Sequence, residues 1–201
     1  MQEFLPGVLT WAWRSEAHGY DFNGTLVLHG QGNLCIDPVT LGDEAIGRIT
    51  QEGVARILIT NRNHVRAANR VRECTGARLA IHPADAGYAR EQGALIDEEL
   101  AIGERAGPFT VVGVPGKSPG EIALHDPARK LLIVGDAVIG NPPTRLSLLR
   151  ERVMDDPPLL RASIRRLLDL DFDSLLVGDG APIRTGGRER LRELVGTFPS
   201  E

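Results

Sequence analysis

Four short stretches carry the residues whose types and spacing suggest chemistry: TNRNHVR at 60–66, PGKSPGE at 115–121, GDAVIG at 135–140 and GDGAPI at 178–183. Each sets Asn, His, Lys or Asp beside glycine or in a tight polar segment, where a backbone turns sharply and presents a side chain. His and Asp are side chains that can ligate a divalent ion, Arg and Lys are cations that pair with carboxylates, and Asn offers neutral donors and acceptors. Any one of these turns taken alone reads as an ordinary strand-to-helix connection.

Other candidate chemistry is weaker. In VVGVPGKSPG the Gly-Lys-Ser triplet suggests a phosphate loop, but Val111 stands where that pattern needs its first glycine. Pro119-Gly120 then breaks the chain where a phosphate-binding helix should start. Ser118 beside Lys117 reads as a turn former rather than a nucleophile, and Asp37 and Asp85 read as turn or helix caps. His82 reads as structural, at a strand end, and His18, His29 and His125 have no companion motif.

The elements that must position these residues follow from the apolar pattern. Leu9–Arg14, Gly24–His29 and Asn33–Asp37 read as strands, with HGQGN as a hairpin signal between the last two. Ala45, Ile46 and Ile49 fall at helical spacing and Gly53 marks a stop. ARILIT, ARLAIH, PFTVVGV, EIALHD, KLLIVGD and SLLVGDG read as strands. RAANRVRECTG, ADAGYAREQG, PPLLRASIRRLLDL and GGRERLRELVGTF read as helices. Pro142 and Pro143, with Pro157 and Pro158, bracket what reads as a further helical stretch. Strands alternating with helices predict an α/β protein with helix-covered sheets, as a single domain over 1–201.

With 42% hydrophobic and 25% charged residues, the 201-residue chain has the composition of an ordinary globular protein. A net charge of −4 gives no footprint for nucleic acid or an acidic membrane. No apolar run approaches the roughly 20 residues that span a bilayer, and MQEFLPGVLTW does not look like a signal peptide, so a cytoplasmic location is expected. Cys35 and Cys74 are not spaced as a metal clip and are expected to be reduced and buried. Trp11 and Trp13 fit a core face as well as a subunit interface, which leaves a homo-oligomer open.

Taken together, the four turns resemble the metallo-β-lactamase superfamily, in particular its hydroxyacylglutathione-hydrolase-like members. Those proteins carry T-H-x-H-x-D-H, then G-A-x-x-x-x-H-P-A-D, P-G-H-T-P-G-S, a strand ending in G-D, and G-H-G-x-P. This chain reads TNRNHVR, GARLAIHPAD, PGKSPGE, VGDA and GDGAP, in that order. The resemblance runs from GTLVLHGQGNLCIDP to the final helix and implies a four-layer αββα sandwich with its site at one edge of two sheets. It also implies two zinc-type ions, held at positions that here are Asn61, Asn63, Val65, Arg66, Lys117, Asp136 and Asp179. Only Asp136 keeps the family residue.

Two readings follow. In the first, the metal ligands are replaced, Arg66 and Lys117 pair with Asp136 and Asp179 in the old metal site, and Asn61 and Asn63 complete the cluster with neutral donors and acceptors. No metal or other cofactor is then expected, and the pocket of Asn61, Asn63, His64, Arg66, Lys117, Asp136 and Asp179 binds a small anionic molecule through Arg66 and Lys117 or serves a protein partner. In the second, the chain is a hydrolase of ester, thioester or phosphoester bonds, using zinc or another divalent metal on His64, Asp136 and Asp179. A one-residue shift of His64 from the old ligand positions is expected to point its ring elsewhere, which weighs against the second.

Overall fold

The structure, a computed structural model, describes residues 1–199. One sheet contains β1 (Gln2–Leu5), β2 (Val8–Ser15), β3 (Tyr20–Val27), β4 (Leu34–Ile36), β5 (Arg56–Ile59), β6 (Arg78–Ile81) and β7 (Glu98–Glu99), in that spatial order. It is antiparallel from β1 to β4 and parallel from β4 to β7. The crossovers of its parallel half are α1 (Asp43–Glu52), α2 (Ala68–Thr75) and α3 (Pro83–Glu91). The second sheet runs in the order β12 (Ser174–Val177), β11 (Leu131–Val134), β10 (Ile122–Asp126), β9 (Phe109–Gly113) and β8 (Arg105–Ala106). Its helices are α4 (Pro157–Leu167) and α5 (Gly187–Val195).

The period-two side-chain alternation of the strands explains the layering. Ile57 and Ile59 of β5, with Leu79 and Ile81 of β6, pack with Ile49 of α1 and Val71 of α2. Leu58 and Ala80, one residue out of phase, face the other sheet and meet Leu124, Ile133 and Leu176. On the far side Leu132, Val134 and Leu175 pack against Leu160 and Ile164 of α4 and Leu191 of α5. Three apolar layers between helices, sheet, sheet and helices make the αββα sandwich that the resemblance implies. The helix ends are set locally. Asp156 caps α4 by accepting from the Leu159 amide, Pro157 opens it, and Gly76 ends α2 in the left-handed region at φ 72°.

Some expectations need correction. β7 and β8, of two residues each, are too short to show an apolar pattern, β1 (QEFL) has only two apolar residues, and β3 begins at Tyr20, ahead of its apolar run. Between Pro143 and Pro157 the only helical turn is a 3-10 turn at Glu151–Val153, and the rest is irregular. Leu146, Leu148 and Leu149 of this stretch instead cover the second sheet's helix-side core. Trp11 is buried and Trp13 is 42% exposed, so the pair splits between core and surface. Cys35 is buried, Cys74 is partly buried, and both are free.

Candidate functional site

The two facing sheets are tied together at their strand ends, where the four turns converge. The Ile122 amide of the second sheet donates to the Thr60 carbonyl at 2.9 Å, and the Asn23 amide donates to the Gly178 carbonyl at 2.8 Å. Asn23 Nδ2 also donates to the carbonyls of Val177 and Gly180. The ends of β5, β11 and β12 and the β9–β10 turn are thereby fixed around one point. Gly135 and Gly178, each preceding an aspartate, make the approach possible. A Cβ on Gly178 would lie 2.5 Å from His64 Cε1, and one on Gly135 would lie 2.3 Å from Thr60 Oγ1.

His64 sits at the centre and is fully buried. Its Nδ1 is 2.8 Å from Asp37 Oδ2, and its Nε2 is 3.1 Å from Asp136 Oδ1 and 4.0 Å from Asp179 Oδ1. The ring therefore points into the site, contrary to the expectation from its one-residue offset. The cause is the turn itself, in which the His64 amide donates to the Asn61 carbonyl, together with the anchor that Asp37 supplies. Asp37 is not a cap. It accepts from the Thr60 amide at 2.8 Å and from Thr60 Oγ1 at 2.5 Å, which holds its carboxylate against the imidazole.

Two more cations reach the carboxylates. Lys117 Nζ is 3.1 Å from Asp136 Oδ2 and also donates to Asn63 Oδ1. Arg66 Nη2 donates to Asp179 Oδ1 at 2.7 Å, and its guanidinium lies 4.1 Å over the Phe22 ring. Arg66 adopts φ 34°, rare for a residue other than glycine, and this turn carries it back over the site. Asn61 Oδ1 accepts from the Asn63 amide, while its Nδ2 is buried with no partner among the described residues. Val65 packs in the core beside α2.

The charges set one another. Burial and Arg66 both disfavour a charged imidazole, but Asp136 and Asp37 outweigh them and push the His64 pKa up to about 10. Burial likewise works against ionised Asp136, but His64, Lys117 and Arg66 hold its carboxyl below the usual range. Asp179 goes the other way. Burial, helped by Asp136, raises it against the pull of His64 and Arg66. The difference is geometric: Asp136 touches two cations and Asp179 touches one closely. Beneath them, burial and Asp136 push the carboxyl of Glu121 well up, while its Oε1 accepts from the Asp136 amide at 2.7 Å.

The remaining candidates lie in the supports. Ser118 Oγ donates to Asp85 Oδ2 at 2.6 Å, a tie within the turn. Asp85 is not a cap either; it is buried and also accepts from the amides of Arg62 and Gly120, joining the first turn to the second. His82 caps α3 by accepting from the Ala84 amide. His125 contacts the Asp171 carbonyl, away from the site. The motifs did not show the wall above the cluster, a cavity of about 670 Å³ lined by His18, Tyr20, Phe22, Leu149, Arg150 and Arg152 as well as the cluster itself.

Two facing sheets with helices outside and a polar site where they meet define the αββα sandwich class. The chain belongs to the metallo-β-lactamase superfamily: the description "Metallo-beta-lactamase superfamily" matches residues 3–198. Many solved structures share the fold. The TTHA1623 protein, solved in a di-iron-bound form, is 27% identical over 89% of this chain and 96% of its own, with a TM-score of 0.68. A metallo-beta-lactamase family protein from Thermus thermophilus, TTHA1429, is 19% identical over 96% of this chain and 80% of its own, with a TM-score of 0.74. A metallo-beta-lactamase from Hirschia baltica is 17% identical over 100% of this chain and 98% of its own, with a TM-score of 0.77. No curated protein matches the chain.

The residues present do not fit the two-metal centre that the fold family implies. Zinc and its neighbours are held by imidazole nitrogen, thiolate or carboxylate. Val65 offers no donor atom, and the Arg66 and Lys117 cations are bonded to the very carboxylates a metal would need. His64, Asp136 and Asp179 do place one ligand atom each within 4.8 Å of one another, which leaves a smaller site geometrically open.

Proposed function

We propose that this chain is a metallo-β-lactamase-fold protein whose metal centre has been replaced by an ion-pair cluster, and that the cavity above the cluster binds a small anionic molecule. One observation carries the replacement of the metal: Lys117 and Arg66 each bond a carboxylate of the site, at 3.1 and 2.7 Å, from positions where the family resemblance places metal ligands. With His64, three cationic groups face Asp37, Asp136 and Asp179, so the buried charges balance without a divalent ion. No lowered-pKa water or Lewis acid then remains for ordinary metal-assisted hydrolysis.

A second reading is supported by the triad of His64, Asp136 and Asp179. His64 has a carboxylate behind Nδ1, the support that metal-bound histidines commonly have, and its Nε2 faces both other residues. A mononuclear hydrolase built this way would first have to strip Lys117 and Arg66 from the carboxylates. Thermal unfolding with added zinc separates the two. An ion bound only by the folded state adds about 2.7 kcal/mol at a hundredfold excess over its Kd. The ion-pair reading predicts no rise in Tm with zinc, manganese or iron; a saturable rise that Asp136→Ala abolishes would overturn it.

A further inference from the structure

The cluster cannot itself supply the positive charge that attracts an anion, because Lys117 and Arg66 are already neutralised by Asp136 and Asp179. The cavity nevertheless carries surplus positive charge. Arg150 and Arg152 line it, and neither side chain has an ion-pair or hydrogen-bond partner among the described residues. The acids near them in sequence are engaged elsewhere: Glu151 bonds Arg161 of α4 at 2.7 Å, and Asp155 bonds Arg62 at 2.6 Å. In a chain of net charge −4, this is a local reversal of sign.

Another wall of the cavity is aromatic. His18, Tyr20 and Phe22 contact one another with ring centroids 5.1 to 6.0 Å apart. Arg66 takes a face of Phe22, which leaves His18 and Tyr20 as the rings free of a stacked cation. Leu149 and Val153 add apolar surface beside the arginines. A cavity of about 670 Å³ suits a ligand of metabolite or drug size. Tyr20 brings a phenol hydroxyl, which is a hydrogen-bond donor at neutral pH.

We propose that this cavity binds a planar aromatic anion, with its phosphate or carboxylate on Arg150 and Arg152 and its ring against Tyr20 and His18. The proposal rests on the metal-free reading of the cluster below, because a bound metal would itself hold the anionic group. Arginine recognises both oxyanions through its planar fork, and aromatic rings add offset or edge contacts that a saturated ring cannot make.

The test is calorimetric titration of the full chain with 1-naphthyl phosphate and 1-naphthoate, with cyclohexyl phosphate and inorganic phosphate as comparators. We expect saturable binding of at least one naphthyl probe, at least about tenfold tighter than either comparator. Arg150→Gln with Arg152→Gln should weaken it by about tenfold or more, and Tyr20→Leu should remove the preference for the aromatic probe. Both arginines are exposed, so folding should survive the change. Equal affinity for inorganic phosphate, or binding unchanged in the double arginine variant, would overturn the proposal. Repeating the titration after dialysis against a chelator separates the two levels. Binding lost on chelation and restored by zinc would refute the metal-free reading, whereas no binding in either state would refute only the aromatic-anion site.

Discussion

Nδ1 of His64 lies 2.8 Å from Oδ2 of Asp37, and that contact fixes the direction of the whole imidazole. With its back held, the ring presents Nε2 to Asp136 and Asp179. The histidine thus joins the lysine and the arginine as a third cation of the cluster, with a pKa of about 10. Because this value is raised above the unfolded one of about 6.5, the stabilisation is complete below about pH 6.5 and is lost as pH rises towards 10. Urea unfolding at a series of pH values should therefore show stability falling from about pH 7 to about pH 9, by at most about 1.4 kcal/mol per pH unit. His64→Gln should flatten that slope. Parallel profiles in the two proteins would show that His64 is not held charged.

Lys117 is a buried cation with a buried partner, so removing it alone leaves Asp136 facing His64 without its second cation. Lys117→Ala should cost about 3 kcal/mol or more in equilibrium unfolding. Lys117→His restores the family residue at one position only, and it should not by itself confer zinc affinity in a calorimetric titration. Tight zinc binding by that single variant would mean the other ligands are already in place.

Arg66 and Asp179 allow a paired test. Each single change, Arg66→Met or Asp179→Leu, strands a partly or fully buried charge, whereas the double change removes both. The double variant should be more stable than the less stable single variant by about 1 kcal/mol or more. Simple additivity would mean that the two side chains do not interact in solution.

Gly178 should tolerate no side chain. A methyl group there would sit 2.5 Å from the His64 ring, and backbone or ring would have to shift. Gly178→Ala should cost about 1–3 kcal/mol and erase the pH dependence attributed to His64, because the ring would leave its place between the carboxylates. An unchanged pH profile would place the ring elsewhere.

Much of the architecture was legible in the chain because burial imposes a clear rhythm. Ile57, Leu58 and Ile59 alternate between two cores, and the strand-and-helix order follows from such runs. The turns that carry Lys117, Asp136 and Asp179 were legible through their glycines, and the one that carries Asn61, Asn63 and Arg66 as a tight polar segment after an apolar run. What escaped was tertiary. Asp37 is 27 residues from His64, and no local pattern says that they touch. The direction of His64 depends on a turn hydrogen bond that spacing does not reveal. Arg150 and Arg152 lie in a stretch read as helical, and His18 and Tyr20 in a hairpin tip without a motif, yet the fold brings all four to one cavity.

The most direct test of the central claim is metal content. The untagged protein would be purified with zinc, manganese and iron available and no chelator, and analysed by mass spectrometry of the elements. A cluster in which Lys117 and Arg66 already neutralise Asp136 and Asp179 predicts metal at trace level only. Near-stoichiometric metal that disappears in Asp136→Ala would contradict it and return the chain to the metal-dependent hydrolases.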